Sequence, residues 1–180
     1  MVAARTMTAA DLAALPDDER GELLDGVLAP MTPVKKAHWR VTAKLDRLLG
    51  AFAEQHGLGI AGPERGYLLR VNPDTVLAPD VSFVAGDRDI DDDDLIGFAA
   101  LAPDLAVEVR SPSNSLAEMQ RRVEIYLAAG CPLVWVVDPA TRTVTVHAPD
   151  REPMLLGDDD HLSGEDILPG FSVPVAALFA

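Results

Sequence analysis

Apolar residues along this chain recur with two periods. Between residues 35 and 55, Val41, Leu45, Leu48, Leu49 and Phe52 fall on one side of a 3.6-residue repeat, and Gly57 follows. That pattern predicts a long amphipathic helix with a glycine stop. Elsewhere the period is two. Strands are predicted at residues 58–61, 67–71, 81–85 and 105–110. "GELLDGVLAPM" reads as a hairpin turning on Asp25-Gly26, and "LVWVVDP" with "TVTVHAP" as another around Pro139-Ala140-Thr141. "MTAADLAALP" is a short helix capped by Thr8 and ended before Pro16. Ser115 and Glu118 have capping-box spacing, so a helix should start there and run to Gly130. A short helix is predicted after Pro174. These elements specify an α/β (α+β) fold with a mixed β-sheet flanked by helices.

Within the 105–110 strand the alternation raises a chemical question. Leu105, Val107 and Val109 point one way, and Ala106, Glu108 and Arg110 the other. A half-open sheet face bearing a Glu-Arg pair would account for Glu108. So would a metal ligand, because Mg²⁺ takes carboxylate oxygens and needs only one or two from the protein. Asp104 shares the face but lies about 13 Å along the strand, too far to share an ion. It is expected to cap or open its strand. Asp80 begins another strand with the same Leu-Ala-Pro-Asp letters, and would lie beside Glu108 if the two strands pair. On the following helix Glu118, Arg122 and Tyr126 are spaced as one polar stripe, readable as a surface Glu-Arg pair or as cationic support for a phosphate. The stripe flanks an apolar face of Leu116, Met119, Val123 and Leu127.

Composition narrows the class. The 180 residues suit one domain, 1–180, and 48% are hydrophobic. No apolar run approaches the roughly 20 residues of a membrane span, and the first residues lack a signal-peptide core, so a cytoplasmic location without membrane is expected. Cys131 is the one cysteine, which excludes an internal disulfide or a cysteine metal cluster. The net charge of −14 opposes a broad electrostatic grip on nucleic acid, so such a substrate needs a local basic patch, a metal, or both. "DRDIDDDD" reads as a solvated loop, and Trp39 and Trp135 as core or interface. Tyr126 is expected to pack with its hydroxyl bonded.

"GELLDG", "APDVSFV", "PDLAVEVRSPSNS", "RRVEIYLAAG" and "LVWVVDP" together resemble the Uma-two family of restriction-endonuclease-like proteins, within the PD-(D/E)XK nuclease superfamily. The resemblance runs from about Thr8 to His147. It implies a restriction-endonuclease-like core, Mg²⁺ (or Mn²⁺) as cofactor, and hydrolysis of DNA phosphodiester bonds. It assigns Asp80 and Glu108 as metal ligands, with the carbonyl of Val109 as a third donor. Glu22 matches the N-terminal acidic residue, and His38 and Tyr126 match a histidine and a tyrosine of the family; by itself His38 reads as a structural histidine of the long helix. Arg122 stands where the family has lysine, and Arg110 stands where the superfamily has it. Arginine keeps the charge and can clamp a phosphate, but does not release a proton near neutral pH. The implied role of Arg122, and of Arg110 beside it, is therefore charge stabilisation. Glu118 is an accessory candidate. Cleaving both strands of a duplex predicts a homodimer, with "GELLDGVLAPM" and "TVTVHAP" as interface pieces. The rival reading is a non-catalytic binding or assembly module on the same fold; a hydrolase of smaller phosphodiesters is a third.

Overall fold

A computed structural model describes residues 6–30, 35–88 and 97–180. In chain order the elements are α1 (Ala9–Ala13), a 3₁₀ turn (Asp17–Glu19), β1 (Gly21–Leu24), β2 (Val27–Pro30), α2 (Lys36–His56), β3 (Gly59–Gly62), β4 (Tyr67–Arg70), β5 (Thr75–Leu77), β6 (Val81–Ala85) and β7 (Leu105–Val109). There follow α3 (Leu116–Ala128), β8 (Leu133–Asp138), β9 (Thr143–His147), β10 (Met154–Leu156), β11 (His161–Ser163), β12 (Ser172–Pro174) and α4 (Val175–Leu178).

The main sheet has six strands in the order β10-β9-β8-β7-β6-β3. β7 and β8 run parallel and its other pairs antiparallel, so the sheet is mixed. A parallel pair needs a crossover, and α3 supplies it. The strand alternation then sorts the core. Leu105, Val107 and Val109 pack on the α2 side with Val41, Leu45 and Leu49. Ala106 and Val134 pack on the other side under Val123 and Tyr126 of α3. A second, antiparallel sheet in the order β2-β1-β5-β4 closes over α3 through Leu24, Leu69 and Leu77.

Local chemistry explains the element ends. Asp25 (φ 52°) and Gly26 (φ 75°) both take the left-handed conformation that a two-residue hairpin turn demands. Gly57, at φ 61°, ends α2 by donating to the carbonyls of Ala53 and Glu54. Thr8 with Asp11, and Ser115 with Glu118, form reciprocal capping boxes.

Departures from the sequence expectation are specific. β5, with three residues, carries too little alternation to be legible in the sequence, and β10, β11 and β12 are equally short. Of the two tryptophans expected in core or interface, Trp135 is core, and Trp39, 62% exposed on α2, is not. Leu116 is 71% exposed, because the first residue of α3 precedes the turns that lie on the sheet. The acidic stretch falls mostly on residues 89–96, outside the described residues. Among the described residues no helix is long and apolar enough to cross a membrane.

Candidate active site

The register of β6 and β7 brings the two acids together. Val81 pairs with Val107 antiparallel, so one step further Asp80 is level with Glu108. Asp80 Oδ2 accepts the Val109 N–H at 2.7 Å, and its Oδ1 lies 3.1 Å from His38 Nε2. His38 is buried and continues the Val41–Leu45–Leu49 stripe one turn toward the helix start. Of the two readings open for His38, the structure supports placement in the site. The stripe it extends was the available signal.

Glu108 is 5% exposed, so the half-open sheet face is corrected. α3 returns over that face, which single-strand alternation does not reveal. Tyr126 donates its hydroxyl to Glu108 Oε1 at 2.8 Å, and Arg122 Nη2 donates to the same oxygen at 2.7 Å. Arg122 also forks onto Glu22 of β1, with Nη1–Oε2 at 2.5 Å and Nη2–Oε1 at 2.7 Å. Glu22 Oε1 is held in turn by the Ala78 N–H at 2.8 Å. Arg122 Nε is buried without a partner among the described residues.

Two candidates stand apart. Arg110 donates to Asp138 Oδ2 at 2.7 Å and to the Asn114 carbonyl at 3.3 Å. The parallel register Val109↔Val137 puts Asp138 beside it, and the acid draws the guanidinium away from Glu108. Glu118 is not paired with Arg122. As the third residue of α3 it turns back to Ser115, accepting from its N–H at 2.7 Å and its hydroxyl at 2.9 Å. It stands at the rim of the cavity. Asp104 acts as its position suggested, accepting the Ala85 N–H at 2.8 Å at the far end of the β6–β7 ladder and pairing with Arg88.

Glu22, His38, Asp80, Glu108 and Arg122 line one cavity of about 490 Å³. Arg121 lines it too, a residue to which the sequence pattern gives no signal. Burial pushes the Glu108 carboxyl up to about 7; Arg122 opposes the rise and Asp80 adds to it. The Tyr126 phenol is driven well above its usual range by burial and by the Glu108 charge. Burial works against the Arg122 cation, but Glu108, Tyr126 and Glu22 outweigh it and hold the guanidinium charged. His38 follows the same logic: burial lowers it, and the bond to Asp80 raises it further.

The donor set suits a hard divalent cation. Both side-chain hydrogen bonds on Glu108 fall on Oε1, and among the described residues none reaches Oε2. A carboxylate such as Glu108, whose proton affinity a neighbouring acid raises, is relieved by a cation. Among the described residues no cage of three or more acidic, histidine or cysteine side chains is present. Two carboxylates, a backbone carbonyl and water are the kind of set Mg²⁺ accepts.

The mixed sheet and its flanking helices define a restriction-endonuclease-like α/β protein, with acids from two paired strands and a cation from the crossover helix gathered at one end of the sheet. The chain belongs to the Uma2 family: the family model, described as "Putative restriction endonuclease", matches residues 9–176. Among solved structures, the fold is similar to the crystal structure of "a putative nuclease belonging to DUF820" from Anabaena variabilis ATCC 29413. The TM-score is 0.84 at 19% identity, over 96% of this chain and 97% of that one. No curated protein matches it.

Proposed function

We propose that this protein is a divalent-metal-dependent endonuclease that hydrolyses DNA phosphodiester bonds and works as a homodimer. The observation that carries this reading is the position of Asp80 level with Glu108 on adjacent strands, with Arg122 bonded to Glu108. Asp80, Glu108 and the Val109 carbonyl would hold Mg²⁺ or Mn²⁺. That ion, when bound, supplies polarisation of the phosphate and a lower pKa for the attacking water.

The chain's own residues do the rest. His38 and the Val109 N–H each hold one oxygen of Asp80, fixing the carboxylate plane. Tyr126 fixes Glu108 and stays protonated. Glu22 aims Arg122, whose permanent charge stabilises the charge that builds on the phosphate. Arg122 takes no proton from water, so the base is not this residue. Arg110 is tied to Asp138 and has no part in this reading.

Two observations favour the rival reading of a binding module that keeps the fold without the chemistry. Arg122 is already engaged by two carboxylates, and the chain carries a net charge of −14. Supercoiled plasmid separates the two. The nuclease reading expects wild type to nick and linearise it with Mg²⁺ and not with EDTA, and Asp80→Asn to be inert. Arg122→Lys should retain cleavage, and gain from it if a lysine here also moves a proton, an effect of roughly 10²–10⁴-fold. Wild type, Asp80→Asn and Arg122→Lys all equally inert would establish the binding module instead.

A further inference from the structure

Beside the Glu108 cavity lies a second, of about 380 Å³, on the outer side of α3. Leu69, Ile125 and Ala128 give it an apolar lining, and Asp25, Arg70 and Arg121 stand around it. Arg121 lines both cavities and so stands between them. Asp25, in the β1–β2 turn, gives each carboxylate oxygen to a different arginine: Oδ1 to Arg70 Nη2 and Oδ2 to Arg121 Nη2. Arg70 Nη2 is further held by the Thr75 hydroxyl at 3.1 Å.

These side chains are far from buried: 37% exposed for Asp25, 50% for Arg70 and 56% for Arg121. Ion pairs this wet add little stability. What the arrangement does is aim two guanidinium groups, from β4 and α3, at one oxyanion. A carboxylate between two such forks occupies the geometry of a phosphate. The other acid of the groove, Glu124, is bonded by Gln120 at 3.0 Å. Arg70 and Arg121 balance Asp25 and Glu124, so the groove is neutral until Asp25 gives way.

We propose that Asp25 is an internal stand-in for a backbone phosphate, and that Arg70 and Arg121 bind the phosphodiester adjacent to the one in the Glu108 cavity. This rests on the nuclease reading and extends it to how an acidic protein holds a DNA strand. It also has a sign that a merely structural ion pair lacks. Removing the acid should strengthen binding, whereas removing either arginine should weaken it.

The test is fluorescence anisotropy with a short fluorescein-labelled single-stranded DNA, in Ca²⁺ in place of Mg²⁺, across a salt series. Asp25→Asn suits the turn, since asparagine tolerates positive φ before glycine; circular dichroism checks the fold of each variant. Asp25→Asn should bind several-fold more tightly than wild type. Arg70→Ala and Arg121→Ala should bind more weakly, each lowering the salt slope by about 0.7. If Asp25→Asn binds no more tightly, or Arg70→Ala keeps the wild-type affinity and slope, the phosphate groove is overturned while plasmid cleavage still stands. The predicted binding pattern without any cleavage would support the groove and remove the nuclease reading.

Discussion

Arg122 and Glu22 lie 100 positions apart in the chain and meet as a two-pronged ion pair, at 2.5 and 2.7 Å. The same guanidinium reaches Glu108, so one cation ties the β1 hairpin, the crossover helix and the central strand of the site together. With 16% of its side chain exposed, Arg122 is held largely out of water.

Removing that cation should therefore cost stability in a pH-dependent way. Arg122→Ala leaves Glu22 and Glu108 facing each other, and breaking a buried pair typically costs about 3–5 kcal/mol. Glu108 can escape part of the cost by taking up a proton, which is easier at low pH. Chemical denaturation of the metal-free protein should show a larger loss at pH 8 than at pH 6. An equal and small loss at both would place Arg122 outside the electrostatics of the site.

Glu108 itself should make metal-free stability fall with rising pH. Its carboxyl is raised from 4.5 to about 7 on folding, so between those values the folded protein holds a proton that the unfolded chain has released. Stability is then highest below about 4.5, declines through that window and levels off above 7. The total is on the order of a few kcal/mol, because each tenfold gain in proton affinity on folding is worth about 1.4 kcal/mol. Glu108→Gln keeps an acceptor for Tyr126 and removes this slope. His38, also raised, adds a decline of the same sense above 6.5 that the variant retains. Thermal melts in EDTA across pH 4.5–8 check this: parallel pH profiles for wild type and Glu108→Gln would refute the raised carboxyl.

Much of this was legible in the sequence because it rests on local rules. The capping boxes, the Asp25-Gly26 turn and the α2 stripe follow from spacing over a few residues, whereas Asp80 beside Glu108 is conditional on their strands pairing, which the β6–β7 register supplies. The misreadings came where distant segments decide. Glu118 shows both sides: its capping-box spacing with Ser115 is local and holds, with two donors from Ser115, while a surface pair with Arg122 does not form because Glu22 and Glu108 take that guanidinium. Nothing near Arg110 announces Asp138, which only the parallel β7–β8 register brings alongside. Glu22 was assigned by resemblance, and its contact with Arg122 required the second sheet to close over α3. That sheet depends on β5, too short to read.

Self-association is the next check. A single-site nuclease that cuts both strands is expected to act as a two-fold dimer. Sedimentation velocity at micromolar concentration should give a dimer; a monomer throughout would leave the protein a nicking enzyme at most.

The central claim is that Asp80 and Glu108 jointly hold one divalent ion. Isothermal calorimetry with Mg²⁺ at pH 8, where Glu108 is ionised, tests it most directly. Wild type should give a one-site binding heat, and Asp80→Asn and Glu108→Gln, both folded by circular dichroism, should give none. Undiminished Mg²⁺ binding in both variants would contradict it.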